Sequence, residues 1–458
     1  MSKPKRFAIV GTGSRAGMYI EAILKTFRDD NQLVAYCDIN QGRMDHTNRT
    51  WCEKLGTQPV PTYRPADFAR MLRDQRVDTV IVTSVDRTHH RYIIDAMENG
   101  CDVISEKPLT TDAEKCQEVL DTVERTGRKL RVTFNYRYSP LASCVKTLLQ
   151  EGVIGTPQSV HFEWLLDTNH GADYFRRWHR DRANSGGLMV HKATHHFDLV
   201  NWWLGSRPES VFGFGGLRFY GRENAEKRGV SEFYERATGN PVAANDPFAL
   251  HLDKHAWSKA MYLEAEKHDG YIRDQSVFGN GISIEDDMAV AVRYESGATM
   301  SYHLTAYSPW EGYRIAFNGT KGRLELDKVE TAWCQGPEDP ALTELLSRHQ
   351  AVDEQVSERL VIRPHWGKPR TVTVPAAEGG HGGGDERLLH DLFVGGIADP
   401  LGRAADHIDG AMSILTGIAA NRSFATGAVV RTRDLVTIRR ERAAVPTALR
   451  AAAAGARS

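Results

Sequence analysis

The sequence predicts an α/β protein in which a doubly wound parallel sheet precedes a second α/β domain built on a large open, mainly antiparallel sheet. Two patterns support this prediction. In the first third of the chain, short apolar runs alternate with amphipathic helical patterns, which is typical of right-handed βαβ units. After about residue 140, segments that alternate polar and apolar residues are separated by Gly and Asn turns, which is typical of antiparallel strands.

The elements of the first domain follow in order from these patterns. Strands are predicted at RFAIV, QLVAYCD, VDTVIVTS, CDVIS and KLRVTF. Helices are predicted at MYIEAILKTF, HRYIIDAMENG and TTDAEKCQEVLDTVERTG, and the last of these has Thr and Asp start signals and ends at Gly127. We assign residues 1–135 to this domain.

The second domain is predicted to cover residues 136–440. Its strand-like segments include TPQSVHFEWLLD, DMAVAVRYESG, ATMSYHLTAYS, YRIAFNGTKG and RLELDKV, and GGLMVHKATHHFDLVNWW has the apolar content of a buried helix. Residues 218–280 have weak periodicity, so we expect a long insertion that serves as a lid, an interface or a small helical insert. The low-complexity tail, 441–458, is predicted to be flexible.

Composition excludes several classes of partner. The 58 basic and 59 acidic side chains give a net charge of −1, which provides no electrostatic reason to expect a nucleic acid or an anionic membrane. The six cysteines form no C-x-x-C pair, as expected for reduced thiols in a cytoplasmic protein. No apolar run approaches the roughly 18 residues of a membrane span and no secretory signal opens the chain, so we expect a soluble protein.

A glycine-rich turn directly follows the first predicted strand and opens a helix. AIVGTGSRAG has the pattern G-x-G-x-x-A, in which the first glycine permits a tight turn and the second lets the backbone approach a pyrophosphate. The pattern is typical of the Rossmann dinucleotide site. We expect the cofactor to contact Gly11, Thr12, Gly13, Ser14, Arg15 and Ala16.

Asp38 follows the second predicted strand and indicates the type of cofactor. A carboxylate at this place accepts hydrogen bonds from the adenosine ribose hydroxyls and repels a 2′-phosphate, so NAD is favoured over NADP. Asp38 lies somewhat further from Gly11 than the roughly 20 residues usual for this motif, and an exposed turn carboxylate is the alternative. Arg15 and Arg43 are near enough in sequence to keep NADP open.

Three further motifs occur in a fixed order after the nucleotide turn. They are SEKPLTTD, NYRYSP and GGLMVHKATHHFDLVNWWLG. Over nearly the whole chain, this set resembles the glucose–fructose oxidoreductase / inositol dehydrogenase family, often written Gfo/Idh/MocA. The resemblance implies a Rossmann domain and a C-terminal domain whose open sheet mediates homodimers or homotetramers.

The resemblance also implies the positions of the catalytic groups. Lys107 matches the E-K-P lysine that lies near the nicotinamide and the substrate hydroxyl. In the family signature G-G-x-x-x-D-x-G-x-H-x-x-D, His195 matches the catalytic histidine and Asp198 the final aspartate. His191 stands where the signature has its first aspartate, and Lys192 follows it. This replacement favours an anionic or heavily hydroxylated substrate.

The chemistry of alcohol oxidation supports these roles. Hydride transfer requires removal of the hydroxyl proton, and a partly desolvated lysine has a lowered pKa that suits a base or an oxyanion stabiliser. Histidine titrates near neutrality and suits a proton shuttle. We predict Lys107, His195 and His191 as catalytic. The alternatives are a surface lysine for Lys107 and a core histidine for His195.

Other candidates are assigned by position. In TSVDRTHHRY, Thr83, Asp86 and His89 or His90 would lie at the carboxyl ends of strands, and Thr83 and His90 join Glu106 and Lys107 as predicted cofactor ligands. The loop HGADYFRRWHRDR combines arginines with aromatic rings that suit sugars and anions. The predicted substrate ligands are Asn135, Arg137, Arg176, Arg177, His179, Arg180, His191, Lys192 and His195. No metal is predicted, because His191 and His195 have zinc-like spacing but no third ligand.

Three functions agree with the sequence. The first is NAD-dependent oxidation of a hydroxyl on a sugar, cyclitol or glycoside that carries an anionic group. The second is redox-neutral glycoside hydrolysis, by oxidation at C3, elimination, hydration and re-reduction, for example of sulfoquinovosides. The third is a non-catalytic NAD(H) sensor, which the presence of Lys107 and His195 disfavours.

Overall fold

The computed structural model of the protein describes residues 3–334, 357–375, 380–396 and 398–438. For 380–382 it describes the backbone only. The tail 441–458, predicted to be flexible, lies outside the described residues. Among the described helices, none combines the length and the apolar character needed to cross a membrane.

A six-stranded parallel sheet forms the first part of the molecule, in the order β3-β2-β1-β4-β5-β6. Its strands are β1 (Lys5–Val10), β2 (Asn31–Cys37), β3 (Thr62–Tyr63), β4 (Thr79–Val82), β5 (Asp102–Ser105) and β6 (Leu130–Val132). Its helices are α1 (Ala16–Glu21), α2 (Gln41–Leu55), α3 (Phe68–Asp74), α4 (His89–Glu98) and α5 (Ala113–Thr126). The strand order reverses between β1 and β4, and ligands bind at the carboxyl ends of strands at such a point.

A nine-stranded sheet forms the second part, in the order β14-β13-β12-β11-β7-β10-β9-β8-β15. Its strands are β7 (Pro157–Asp167), β8 (Pro208–Gly216), β9 (Asp287–Tyr294), β10 (Thr299–Ser308), β11 (Glu311–Gly319), β12 (Gly322–Thr331), β13 (Ser357–Pro364), β14 (Arg370–Val372) and β15 (Val430–Arg431). Only β7 and β10 pair in parallel; the other neighbours are antiparallel. The predicted fold class is therefore confirmed.

Helices cover one face of this sheet and link it to the first. They are α6 (Pro140–Gln150), α7 (Thr168–Arg176), α8 (Arg182–Ser185), α9 (Leu188–His191), α10 (Ala193–Leu204), α11 (Arg222–Lys227), α12 (Ala256–Ser258), α13 (Glu266–Asp269), α14 (Gly380–Phe393) and α15 (His407–Thr426). Ile414 and Leu415 of α15 belong to the core of the first sheet, and Ala419 and Ala420 to that of the second. The ring of Phe393 in α14 packs edge-on against the ring of Phe7 in β1, at 5.2 Å between centroids. C-terminal segments that the predicted division placed in the second domain thus return to the first.

The histidine-rich stretch differs from the single helix that its apolar content predicts. Gly186 and Gly187 both have positive φ, +72° and +80°, and α9 begins only after them. The helical pattern is interrupted at Lys192, after which α10 begins. His191 and His195 consequently lie on separate helices rather than on one continuous face.

The segment 218–280 is a folded insertion. It contains the short helices α11 to α13, and Leu250, Leu252, Met261 and Tyr262 form an apolar cluster of its own. Short helices are thus present in the segment, and its role as a lid or an interface stays a prediction.

Candidate active site

The glycine-rich turn has the backbone geometry that its sequence predicts. Gly11 has φ +90°, and a Cβ there would lie 2.6 Å from the backbone nitrogen of Ser84. The Thr83 hydroxyl donates to the Gly11 carbonyl oxygen at 2.6 Å and holds the two loops together. A Cβ on Gly13 would meet nothing within 4 Å, so space for a pyrophosphate is open at the second glycine. These features fit NAD, with Ser14 and Ala16 completing the turn.

Asp38 is fixed at the carboxyl end of β2. Its carboxylate accepts hydrogen bonds from the Thr12 backbone N–H (2.6 Å) and hydroxyl (3.0 Å) and from the Asn40 N–H (2.8 Å). Arg43 lies 3.9 Å from this carboxylate and forms a close ion pair with Asp269 of the insertion. Because Arg43 is engaged by carboxylates, one of the two arginines that left NADP open is not presented to a 2′-phosphate.

Arg15 contacts Glu106 rather than projecting freely. Its Nε donates to Glu106 Oε1 at 2.6 Å, and Tyr19 donates to the same oxygen at 2.8 Å. Burial by itself would raise the pKa of Glu106, but Arg15 and the two hydrogen bonds keep this pKa below its usual value. Glu106 is therefore an ionised group beside Lys107.

Lys107 projects to the junction of the two domains. Its Nζ donates to the backbone oxygen of His191 at 3.2 Å. Burial lowers the pKa of Lys107 to about 8, although Asp86 and Glu106 oppose the shift. An amine with this pKa is populated in its basic form under mildly alkaline conditions.

The adjacent histidines of α4 have different surroundings. The His89 ring lies 2.8 Å from the Pro108 carbonyl oxygen and 3.0 Å from that of Ser84, so it ties the Lys107 turn to the loop after β4. His90 is half-buried, and burial together with Lys115 of α5 lowers its pKa. His89 thus has protein partners at both ring nitrogens, and the assignment of His90 to the cofactor stays a prediction.

His191 has a carboxylate partner from the other domain. Its Nδ1 lies 2.5 Å from Oδ2 of Asp86, in the loop after β4. Burial raises the pKa of Asp86, opposed by Lys107, and burial together with Lys107 lowers the pKa of His191. A hydrogen bond between Oδ2 and Nδ1 fixes the orientation of the His191 ring, and Nε2 is the ring nitrogen on the opposite side from Asp86.

Aromatic and titratable side chains surround His191. The His179 ring lies 4.2 Å from the His191 ring and is stacked at 3.6 Å on Trp178. Burial, followed by His191, lowers the pKa of His179, which favours a neutral ring. Tyr174 lies 5.5 Å from His191, and its hydroxyl is 3.0 Å from His170 Nε2. The sequence pointed to His179. The Tyr174–His170 contact follows from their i, i+4 spacing on α7, whereas the approach of Tyr174 to His191 depends on how α7 packs.

The remaining members of the histidine stretch have separate environments. His195 is 5% exposed and packs edge-on against Tyr136 at 4.9 Å. His196 is fully buried, stacked on Trp164 at 3.9 Å, and its Nδ1 is 2.6 Å from the Tyr302 hydroxyl. His196 is therefore a core histidine.

Lys192, which follows His191 in the chain, is a buried lysine. Its residue exposure is 6%, and Nζ lies 5.2 Å from the Trp164 ring centroid. Within the part of the chain that the structure describes, this ammonium makes no hydrogen bond to protein.

Several predicted substrate ligands are occupied by protein partners. Arg137 donates to both oxygens of Asp198, at 2.6 and 2.7 Å, and Asn135 donates to Asp385 at 2.6 Å. Arg180 binds backbone oxygens of the segment 276–280. These contacts engage Arg137, Asn135 and Arg180 with protein groups, and their contacts with substrate stay predictions.

The other two arginines of this loop differ in exposure. Arg176 is 1% exposed and donates to the Asn169 carbonyl oxygen, so it too has a protein partner. Arg177 donates to Asp173 at 2.6 Å and is close enough to affect the pKa values of His191 and His179. Arg177 therefore lies near His191 and His179. Among the described residues, no group of three His, Cys, Asp or Glu side chains is arranged to hold a metal.

Comparison with known proteins agrees with this geometry. Residues 5–134 match the description "Oxidoreductase family, NAD-binding Rossmann fold", and residues 146–432 match "Oxidoreductase family, C-terminal alpha/beta domain". The YteT protein of Bacillus subtilis (strain 168), which is named as an oxidoreductase without a stated substrate, is 35% identical over 444 residues, covering 94% of this chain and 98% of YteT.

Two further proteins show the range of the similarity. The scyllo-inositol 2-dehydrogenase (NAD(+)) of Bacillus subtilis (strain 168) is 29% identical over 226 residues, which is 47% of this chain and 59% of that enzyme. An oxidoreductase from Agrobacterium radiobacter, solved with NAD+, L-tartaric acid and magnesium, shares the fold with a TM-score of 0.59 and 16% identity, covering 95% of this chain and 100% of that chain. The predicted NAD cofactor and the family resemblance are confirmed. The protein is an NAD-binding oxidoreductase, and its chain belongs to the Gfo/Idh/MocA family.

Proposed function

We propose that the protein oxidises a hydroxyl group of a sugar, a cyclitol or a glycoside, with Lys107 and His191 moving the proton. One observation carries the proposal: Lys107, His191 and Asp86, from two domains, meet beside the nucleotide turn. Lys107 is the E-K-P lysine, and its contact with His191 brings a base and a proton relay together.

The residues divide the chemistry between them. NAD, when bound, supplies the hydride acceptor. The uncharged amine of Lys107 takes the hydroxyl proton, since burial has lowered its pKa to about 8. Asp86 fixes the ring of His191 through Nδ1, and Nε2 then relays the proton. His195, beside Tyr136, stays a second candidate for the relay.

Lys192 supports an anionic group on the substrate. The buried Lys192 side chain lies over the Trp164 ring and near enough to Glu311 for a Coulombic interaction, but it makes no hydrogen bond among the described residues, and a carboxylate, phosphate or sulfonate of the substrate would supply one. Arg177 is held by Asp173 and adds positive potential from α7. The anionic preference therefore depends on Lys192 and Arg177 and not on the whole arginine-rich loop.

Redox-neutral glycoside cleavage is the second candidate, and His179 favours it. This reaction needs an additional base, because oxidation at C3 is followed by loss of the C2 proton and departure of the aglycone with a proton. Water then adds to C1 and C2, and the ketone is reduced again, so no net oxidation occurs. His179 lies 4.2 Å from His191, and its Nδ1 has no hydrogen-bond partner within the described residues.

Substrate turnover separates the two candidates. Inositols, free sugars and aryl glycosides, in neutral, carboxylated and sulfonated forms, are incubated with the purified protein and NAD. NADH absorbance and aglycone release are then recorded together. A dehydrogenase gives NADH in proportion to product, whereas the redox-neutral enzyme releases aglycone without net NADH.

Variants test the assigned groups in the same assay. His191→Gln and Asp86→Asn are each expected to lower kcat by about 100-fold with little change in NAD affinity, as typical for loss of a general acid–base group. Lys192→Met is expected to raise KM for the anionic substrate and leave KM for its neutral analogue unchanged. Full activity in His191→Gln, or equal effects of Lys192→Met on both substrates, would contradict the assignment.

A further inference from the structure

We infer that the insertion of the second domain completes the adenosine end of the cofactor site and keeps NAD bound between turnovers. The relevant segment is 265–273, which we call the cofactor strap. It contacts the first domain at the start of α2 and reaches α7 of the second domain. The inference concerns retention of NAD and is independent of the substrate proposed above.

The first end of the cofactor strap is fastened to α2. Asn40 Nδ2 donates to the carbonyl oxygen of Ala265 at 2.9 Å. Asp269 forms a close ion pair with Arg43, and both side chains are at least nine-tenths buried. Gly42 lies so near that a Cβ there would be 2.7 Å from the His268 ring.

The residues that hold this end also shape the adenosine pocket. Asn40 gives its N–H to Asp38, and its side-chain oxygen accepts the N–H of Arg43 as the N-cap of α2. Arg43 lies between two carboxylates, Asp269 at close range and Asp38 at 3.9 Å. Since Asp38 is the residue expected to bind the adenosine ribose, the cofactor strap lies at the edge of that pocket.

The second end of the cofactor strap is held near the side chains that surround His191. Arg273 is fully buried, lies 3.9 Å from Asp173 and stands over the Tyr262 ring at 4.4 Å. Asp173 also binds Arg177, which faces His191 and His179. Only a few residues therefore separate the contact at the adenosine end from the contact at the substrate end.

The insertion holds the cofactor strap in a defined conformation. Arg236 binds Glu266 at 2.8 and 2.9 Å and Asp274 at 2.8 Å, which braces both sides of the cofactor strap. Beneath it lies the apolar cluster that contains Leu252 and Met261. Moving the cofactor strap away requires separation of the buried Arg43–Asp269 pair, and an unpaired buried charge is strongly unfavourable.

Slow release follows from this arrangement. NAD leaves only when the contacts between the cofactor strap and α2 break, so dissociation is expected to be slower than catalysis. A cofactor retained in this way suits a reaction in which the bound nicotinamide first accepts a hydride and later returns it to the product ketone.

The dissociation rate of NAD tests the inference without any substrate. The full-length protein is loaded with NAD, passed through gel filtration, and the released NAD is followed over time after dilution. The wild-type protein is expected to elute with NAD bound. Asp269→Asn is expected to release it about tenfold faster, since a tenfold rate change corresponds to only about 1.4 kcal/mol.

Control variants show whether faster NAD release results from loss of the contacts between the cofactor strap and α2. Asp253→Asn makes the same chemical change at an exposed position of the insertion and should leave the release rate at the wild-type value. The double variant that carries Arg43→Met and Asp269→Asn should release NAD no faster than the faster of the two single variants, because both substitutions break the same ion pair. If Asp269→Asn does not fold, His268→Ala, which removes the ring beside Gly42, is measured in its place. Loss of NAD from the wild-type protein during gel filtration, or unchanged release in the folded strap variant, would overturn the inference.

Discussion

The ammonium group of Lys107 lies in an electrostatic balance at the domain junction. Burial favours the neutral amine, Asp86 and Glu106 favour the charged form, and Lys192 opposes the charge. The result is a pKa of about 8, which makes its protonation state sensitive to mild changes of pH.

The pH dependence of turnover tests the basic role of Lys107. Its basic form increases as pH rises through about 8, so kcat/KM is expected to rise over this range and then level off. Lys107→Arg stays protonated and should lose this rise together with most of the activity, while retaining NAD binding by fluorescence titration. An unchanged pH profile in an active Lys107→Arg protein would assign the rise to another group.

His191 could be identified as a site residue from the sequence, but its hydrogen-bonding partner could not. The family signature has an aspartate at this place, and nothing in the sequence names a partner for the histidine that replaces it here. The structure supplies a carboxylate from Asp86, about a hundred positions earlier in the chain, at 2.5 Å. This contact depends on the loop after β4 lying against α9, which no local pattern encodes.

At the scale of elements, the position of α7 determines the shape of the substrate side. Asp173 and Tyr174 lie on this helix, and it packs on β10 through Gly171. A Cβ at Gly171 would collide with the backbone carbonyl of Ala306. Backbone atoms cannot move aside as a flexible side chain does, so the close approach requires glycine.

Alanine substitution measures this packing. Gly171→Ala is expected to lower the free energy of unfolding by about 1–3 kcal/mol, because overpacking forces α7 away from β10. Gly17→Ala is the matched control: Gly17 lies in α1, a Cβ there would meet nothing within 4 Å, and the change should be neutral or slightly stabilising. Denaturant unfolding of both variants compares them. Equal stability of Gly171→Ala and the wild-type protein would show that the backbone of β10 shifts to make room for the added methyl group.

At the scale of the whole molecule, the nine-stranded sheet has one covered and one open face. Along β9 and β10, Val290, Val292, Met300 and Tyr302 are buried against the helices. The residues between them, such as Ala291, point to the other face and are exposed. The family resemblance implies that this open face joins copies of the chain.

Oligomerisation through the open face can be tested by measuring the molecular mass of the protein in solution. The protein is expected to be a homodimer or homotetramer by light scattering. Ala291→Arg places a charge on the open face and should reduce the mass, whereas Ala244→Arg, at an exposed position of the insertion, should not. A wild-type monomer at the concentrations used for assay would contradict the expectation.

Much of the architecture could be predicted because periodic burial is a local property. Strands buried on both faces, such as β1 and β4, give continuous apolar runs, and strands buried on one face, such as β9, give alternation. The return of α14 and α15 to the first sheet was not predictable in this way. A helix pattern shows that one face is buried but not which sheet buries it.

By itself, the sequence determined the two-sheet fold, the nucleotide turn at Gly11 and Gly13, the family and NAD as cofactor. These depend on residues adjacent in the chain or on motifs in a fixed order. Only the tertiary structure decided that Asp86 pairs with His191, that Arg137 and Arg180 have protein partners, and that Asp269 reaches Arg43. Each of these is a contact between charged or polar groups distant in sequence. Their partners are chosen by how the domains pack, because a buried charge must be compensated by whichever group the fold brings near.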